Sequence, residues 1–172
     1  MTPAGNRPGH PAGMPADATV ILAAVKTALE TAYPAVPVRV RKGRPGPGME
    51  SPLCGLKAGD DGTVFVVSCA GPEPTETQAS FEHVSVNYPV NVSYVKPAEA
   101  SPGLHEDDPD VREKRATVRN LLYRPSLAGA TQVRHTGIKQ GAVYEEFKDN
   151  VVRVISDQTL TFLAYEPRGG TT

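Results

Sequence analysis

The sequence lacks several features that identify common classes of protein. It has only two cysteines, Cys54 and Cys69, and they do not have the paired spacing of a zinc ribbon or a redox motif. A disulfide and two small, partly buried thiols are both compatible with this spacing, and the thiols are the simpler interpretation. Cysteine chemistry is therefore not expected to define the function.

No membrane-spanning or targeting segment is recognisable. The longest apolar run, VILAAV at residues 20–25, is far shorter than the ~20 residues that cross a bilayer. It follows a Pro/Gly-rich lead in which Arg7 supplies the positive charge, which is unlike a secretory signal. We therefore expect a soluble protein, free or part of a particle assembled inside a cell, without a membrane partner.

An excess of positive charge is also missing. The chain has 18 basic and 19 acidic residues and a formal net charge of −1, so its attraction to a phosphate backbone should be weak. A local basic patch is still compatible with this balance. We expect no sequence-specific binding to nucleic acid.

Motifs for catalysis, metals and cofactors are absent as well. The four histidines lie in four different segments, and no HExxH, CxxC or GxSxG occurs. The run GRPGPG at residues 43–48 lacks the lysine and hydroxyl of a phosphate-binding loop, and its prolines remove backbone donors. The sequence thus predicts no catalytic residue, no metal ligand and no cofactor, and GRPGPG is interpreted as a hairpin connector.

The chain has the size of one domain with loose ends. Prolines and glycines alternate through residues 1–16, which predicts a disordered arm, and residues 168–172 are predicted to be a flexible tail. Between them, residues 17–167 should form one α+β domain. It begins with an amphipathic helix that Asp17 caps and Pro34 ends.

Strand patterns follow this helix. The segments VPVRVRK and TVFVVSCA predict an outer and a more central strand. From residue 84 to 94, Val and Tyr occupy every even position and polar residues or Pro89 the odd ones, which predicts one buried and one wet face. Since Pro89 cannot donate to a ladder, we expect an edge or a bulge there.

The predicted fold is an antiparallel, strongly twisted sheet with two main helices packed on one face. After the second helix, residues 130–139 suggest a weaker strand and YEEFKDN (144–150) a loop or helical turn. The last segment, VVRVISDQTLTFLAYE, suggests a final strand or pair of strands.

The most charged segment is HEDDPDVREKRATVRNLLYRP, residues 105–125. Its acids lack the spacing and central glycine of a calcium loop. They fit a helix start better, with Asp107 or Asp108 as the cap and Pro109 in the first turn. Along the helix, Arg112, Arg115 and Arg119 form one stripe beside an apolar one. The stripe is either a solvated flank with pairs such as Asp108–Arg112 or a contact surface for a partner's carboxylates or for DNA, and the net charge favours protein.

Four segments resemble the tail-terminator and neck (head-tail joining) proteins of long-tailed bacteriophages and prophages in the order and pattern of their elements. They cover roughly residues 17–167 and read DATVILAAVKTALETAYP, HVSVNYPVNVSYVKP, VREKRATVRNLLYRPSLAG and NVVRVISDQTLTFLAYEP. The resemblance implies a structural protein without enzymatic activity that forms a homo-oligomeric ring, commonly a hexamer, at the head-proximal end of the tail tube.

The partners implied by the resemblance are tail-tube and head-connector proteins, and the implied location is the virion, assembled in the host cytoplasm. Arg112, Arg115, Arg119 and the edge near Pro89 are the predicted subunit contacts. Two alternatives are kept. One is a small adaptor that recognises a protein partner by strand addition at the edge of the long strand. The other is a hydrolase without a recognisable motif.

Overall fold

The computed structural model describes residues 18–41, 51–69, 73–78, 83–98, 105–122 and 134–167. In chain order the elements are α1 (Ala18–Ala32), β1 (Val38–Arg41), a short 3-10 helix η1 (Pro52–Gly55), β2 (Val64–Cys69), β3 (Glu73–Gln78), β4 (His83–Pro97), a 3-10 turn η2 (His105–Asp107), α2 (Pro109–Leu122), β5 (Arg134–Lys148) and β6 (Val151–Pro167). The predicted arm, the Asp17 cap and the predicted tail lie outside these residues.

Strands dominate the described chain, and they form a mixed sheet. Five strands run in the order β1-β2-β4-β6-β5, and β3 pairs with β4 off this path. The pairs β2–β4, β3–β4, β4–β6 and β5–β6 are antiparallel, whereas β1 and β2 are parallel. The prediction of an antiparallel sheet is therefore wrong.

The connection between β1 and β2 explains the parallel pair. A hairpin would have reversed the chain directly after β1, but the chain instead passes through η1 before β2 starts. The connection is tied back to β1: Arg39 donates two hydrogen bonds to Asp60, at 2.6 and 3.0 Å, and Arg41 donates to the Ser51 carbonyl at 3.0 Å. The run GRPGPG, expected to be a hairpin connector, lies outside the described residues.

The helices lie on one face of the sheet, here called the helix face. Ile21, Val25 and Leu29 of α1 are fully buried, and Val118 of α2 joins the same core. The even positions of β4 supply the other side of this core, as the alternation predicted. They are Val86, Tyr88, Val90, Val92 and Tyr94, all buried. Helix packing on one face is therefore confirmed.

The opposite face, here called the open face, is not wholly wet. At one end η1 covers it, and Leu53 packs with Val64, Val95 and Ile155 in a second small core. Gly55 comes so close to β2 that a β-carbon there would lie 2.7 Å from Cγ1 of Val66. The expectation of a sheet covered on one side only holds for the rest of this face and fails at the η1 end.

The last two strands form one long hairpin. The segment YEEFKDN, expected to be a loop or helical turn, belongs to β5 up to Lys148. The chain reverses at Asp149 and Asn150, which both have positive φ (53° and 61°), as a tight two-residue hairpin turn requires. β6 is one continuous strand, and β3 was not predicted because EPTETQ has no apolar alternation.

Candidate assembly surface

Asp108 caps α2. Its Oδ1 accepts hydrogen bonds from the backbone N–H groups of Asp110, at 2.8 Å, and Val111, at 3.4 Å. Pro109 occupies the first helical position, where no N–H is needed. The capping interpretation of the acidic cluster is confirmed. Within the described residues, no group of three or more His, Cys, Asp or Glu side chains could hold a metal ion.

Behind the cap, two lysines and two acids join α2 to β4. Lys96 binds Asp108 at 2.7 Å and lies 3.6 Å from Asp110, while Lys114 binds the other oxygen of Asp110 at 2.8 Å. The Tyr94 hydroxyl donates to Asp110 at 2.6 Å. Each lysine is only 8% exposed, so both need these partners. The expected pair Asp108–Arg112 is replaced by Asp108–Lys96.

The pKa shifts in this network follow from its contacts. The hydrogen bond from Lys96 lowers the pKa of Asp108. For Asp110, burial raises the pKa, but the hydrogen bonds from Lys114 and Tyr94 outweigh it, so that the pKa is lowered. Burial and then the bond to Asp110 raise the pKa of Tyr94, so its hydroxyl stays protonated. The acids are ionised and bound, which makes this cluster a structural joint.

The three predicted contact arginines have different surroundings. Arg112 and Arg119 are exposed. Arg115 instead reaches the sheet, where its Nη2 donates to the Gly141 carbonyl at 2.5 Å and to the Asp157 carbonyl at 3.3 Å. Gln158 returns a hydrogen bond to the Arg115 carbonyl at 3.1 Å. Arg112 and Arg119 stay predicted contacts, whereas Arg115 holds α2 to β5 and β6.

Pro89 lies in the interior of the sheet. β6 pairs with β4 along its whole length, with Pro89 opposite Thr161. On the other side, the register with β3 reaches Asn87 and that with β2 begins at Val90, so Pro89 lies at the junction of these two strands. On that side Pro89 has no partner among the described strands, so the edge or bulge expected there is a local gap between β3 and β2. β4 itself has strands on both sides, and strand addition to β4 has no free edge along β6.

The open edge of the described sheet on this side is β5. In the part of the chain that the structure describes, β5 pairs with β6 alone. Residues 143–148 pair with 151–156 without interruption, whereas two register shifts interrupt the earlier part of β5. An unpaired strand edge of this kind can accept a further strand.

The end of this hairpin exposes apolar side chains. Phe147 and Val152 are direct cross-strand partners on the helix face and are 66% and 39% exposed. We call this pair the hairpin tip. The opposite side of the same hairpin is held by η1: Ser51 donates to Glu146 at 2.7 Å, and Lys148 donates to the Leu53 carbonyl at 3.2 Å. The tip thus lies at the end of a hairpin that η1 holds in place.

Sequence reasoning missed the tip because it interpreted residues 144–150 as a loop or turn. A usable signal was present: Asp-Asn between two runs rich in Val, Tyr and Phe is typical of a hairpin turn. His105, to which the sequence assigned no role, pairs with Glu145 of β5. Cys54 and Cys69 are not joined by a disulfide.

Comparisons with known proteins give little guidance. No family model matches the chain, and no curated protein matches it. One solved structure, whose name states no function, covers 87% of this chain and 94% of its own with 16% identity and a TM-score of 0.43. A likeness this weak carries no argument. Among the described helices, none is long and apolar enough to cross a membrane.

Proposed function

We propose that this protein is a non-enzymatic virion assembly protein, a ring-forming tail terminator or neck component that caps the tail tube and joins it to the head. The proposal rests on the resemblance in the order of elements and on one structural observation. That observation is the hairpin tip, an exposed apolar pair at the end of a long hairpin whose outer strand is an open edge. Exposed apolar pairs beside an open edge are typical of contact surfaces.

The difference between the two faces of the sheet supports a ring in particular. One carries the helices and the hairpin tip, and the other is a largely open strand surface, so the same chain offers two different faces. Contacts between unlike patches are heterologous, and they generate a ring when the rotation between subunits closes. A ring built in this way has two unlike ends. Two unlike ends are needed in a part that fits a tube on one side and a head connector on the other.

The proposed role is tested by the mass of the protein in solution. We expect sedimentation velocity to show a ring-sized oligomer, or a monomer that becomes a ring when concentrated or mixed with tail-tube protein. Replacing Phe147 and Val152 by Asp should leave a folded monomer, because both side chains are exposed and outside the two cores. Unfolding temperature checks that the variant is folded.

Val151 provides the matched control. It is 37% exposed in the same hairpin but pairs with Lys148, on the face opposite the tip. Val151→Asp should therefore retain assembly if the tip is the contact. A protein that stays monomeric at every concentration and ignores tail-tube protein would refute the ring.

A second candidate is an adaptor that takes up a partner's strand at β5. The uninterrupted register of residues 143–148 favours it, because six consecutive residues there have one strand neighbour among the described strands. An adaptor would be monomeric and would lose partner binding when Val143 or Glu145 is replaced by Pro, because the N–H groups at these alternate positions point away from β6 and Pro removes such an edge donor. The sedimentation experiment distinguishes the two candidates.

A further inference from the structure

A row of polar side chains crosses the open face from one edge of the sheet to the other. The strand registers align one residue from each of the five main strands: Arg41 with Ser68, Ser68 with Asn91, Asn91 with Thr159, and Thr159 with Lys139. All five line a groove of about 280 Å³. We call these five residues the polar row.

The two ends of the polar row are cationic and its centre is neutral. Arg41 lies at the β1 end and Lys139 at the β5 end, four strand spacings apart, which is ~19 Å at ~4.8 Å per strand. Between them are the hydroxyls of Ser68 and Thr159 and the amide of Asn91, and Thr159 donates to Asn91 at 2.8 Å. The row therefore has two positive side chains joined by groups that both donate and accept, and Arg41 also donates to the Ser51 carbonyl at 3.0 Å.

Among the described residues that line the groove, one carboxylate, that of Asp157, lies beside the row. Asp157 accepts hydrogen bonds from Ser93, at 2.6 Å, and from Tyr144. The pKa of Tyr144 is raised, first by burial and then by the nearby charge of Asp157. Gly141 packs against Asp157 so closely that an added β-carbon would lie 2.8 Å from its carbonyl oxygen. Asp157 is thus held in place by its neighbours, and the described residues that line the groove carry two positive charges against this one negative charge.

The walls of the groove keep the row accessible along its length. Pro52 of η1 lines the groove, as do Gly141 and Ala142, which lie at the interruption in the β5 register on the η1 side of Lys139. Lys139 is exposed and Arg41 is half-buried. A slender, extended chain can lie across the strands along this row, with η1 and the β5 irregularity on one side of it.

The chemistry favours a polypeptide over a nucleic acid. A nucleic acid carries a phosphate on every nucleotide, whereas the row has cations only at its ends. Single-stranded nucleic acid also needs aromatic side chains on which bases stack, and the described residues that line the groove include none. An acidic peptide can place carboxylates at the two ends and backbone amides over the centre.

We propose that the polar row binds an extended acidic segment of a protein partner, with one carboxylate near Arg41 and another near Lys139. An extended chain rises ~3.3 Å per residue, so ~19 Å corresponds to two acidic residues about six positions apart. Backbone N–H and C=O groups between them meet Ser68, Asn91 and Thr159. This proposal concerns the open face and does not depend on ring formation.

The test uses the full-length protein, isotope-labelled for NMR, and two capped synthetic peptides. One has two glutamates about six positions apart in a Ser/Gly background. The other has glutamine at both positions. We expect the glutamate peptide to shift the amide signals of Ser68, Asn91 and Thr159, and the glutamine peptide to bind about tenfold more weakly, because two exposed ion pairs are lost at up to ~1 kcal/mol each.

Lys139→Gln and Lys26→Gln form a matched pair of variants. Both remove one partly or fully exposed lysine charge, but Lys26 lies on α1, on the other side of the sheet. Lys139→Gln should weaken the glutamate peptide about threefold to fivefold, and Lys26→Gln should not change its affinity. Lys139 is exposed, so this variant should fold normally.

Three results would overturn the proposal. The first is an absence of shifts along the row with the glutamate peptide at millimolar concentration. The second is equal affinity for the glutamate and glutamine peptides. The third is tighter binding of a short oligothymidylate at the same amides, which would identify the row as a nucleic-acid surface. Ring formation is measured separately by sedimentation, so a failure here leaves the proposed assembly role standing.

Discussion

At the scale of single residues, the joint between α2 and β4 depends on charges that are mostly out of water. Lys96 and Lys114 are each 8% exposed, and Lys114 also lies 4.5 Å from the ring centre of Tyr33. A buried ammonium group is stable only when its partners are in place, so removing one partner costs more than the pair contributes. Asp108 has a double role here, because it both caps the helix and binds Lys96.

Substitutions of Asp108 should separate these two roles. Asparagine still caps a helix but cannot pair with Lys96, so Asp108→Asn should lower the free energy of unfolding by about 1.5–3 kcal/mol. Asp108→Ala should cost roughly 1 kcal/mol more, since the cap is lost as well. Urea denaturation at pH 7 measures both. Asp107→Asn is the control: Asp107 is exposed, and we expect a change within about 0.5 kcal/mol.

The same variants have a predictable pH dependence. The hydrogen bond from Lys96 holds the pKa of Asp108 below its ordinary value. A lowered pKa gives stability that is fully present above the unfolded pKa of ~3.9 and is lost as the pH falls through the lower folded pKa. The gap between the wild type and Asp108→Asn should thus be constant from neutral pH to about pH 5 and should shrink below about pH 4. A gap that stays constant down to pH 2 would show that the ion pair is not its cause.

At the scale of elements, α2 is fixed to the sheet at its start and at its middle. Its first turn is joined to β4 through Asp108 and Lys96, and its middle is joined to the β5–β6 hairpin through Arg115. The carbonyl that Arg115 binds belongs to Gly141, in the interval between Gln140 and Val143 where the β5 register shifts. The irregularity in β5 therefore coincides with the helix contact.

Gly141 lets β5 lie close to Asp157 of β6, and replacing this glycine should lower the stability of the protein. A β-carbon at this position would lie 2.8 Å from the Asp157 carbonyl oxygen and 2.9 Å from the Asp157 β-carbon. Gly141→Ala should lower the free energy of unfolding by about 1–3 kcal/mol, measured by urea denaturation. Gly137, in the same strand, has nothing within 4 Å of an added β-carbon. Gly137→Ala should leave stability unchanged or slightly raised, and an equal loss in both variants would contradict the steric explanation.

Local patterns predicted some elements well and the arrangement of the sheet poorly. The burial of β4 and the cap of α2 were predictable because each depends on neighbouring residues and on one period. The parallel pairing of β1 and β2 was not, since strand direction depends on the path of the whole connection through η1. For the same reason Pro89 looked like an edge residue: only the registers of β2, β3 and β6 show that β4 is interior.

The candidate contact surfaces were predictable in part. Helical periodicity predicted that Arg112 and Arg119 are exposed on one flank of α2. Arg115 belongs to the same stripe in the sequence, but its side chain binds the Gly141 carbonyl. The polar row could not be found in the sequence, because its five members come from five strands and are aligned only by register. Cross-strand rows of this kind are set by the pairing of strands, so the pattern of residues along one strand does not show them.

At the scale of the whole molecule, the proposed contacts lie on different sides. The hairpin tip is on the helix face and the polar row is on the open face. Arg112 and Arg119 add exposed positive charge along α2, the helix that the joint at Asp108 and the contact at Arg115 keep in place. Such a distribution suits heterologous contacts, in which each subunit uses one side toward the preceding neighbour and another toward the next.

Charge reversal tests whether the α2 flank belongs to these contacts. Arg112→Glu combined with Arg119→Glu changes two exposed side chains, so the monomer should keep its unfolding temperature. If the arginines meet carboxylates of a neighbouring subunit, sedimentation should show the oligomer weakened at least about tenfold, because like charges then face each other. Arg115→Ala is the comparison: it removes the hydrogen bonds to Gly141 and Asp157 and should lower the unfolding temperature instead. Assembly that survives the double reversal unchanged would identify Arg112 and Arg119 as a solvated flank of the helix.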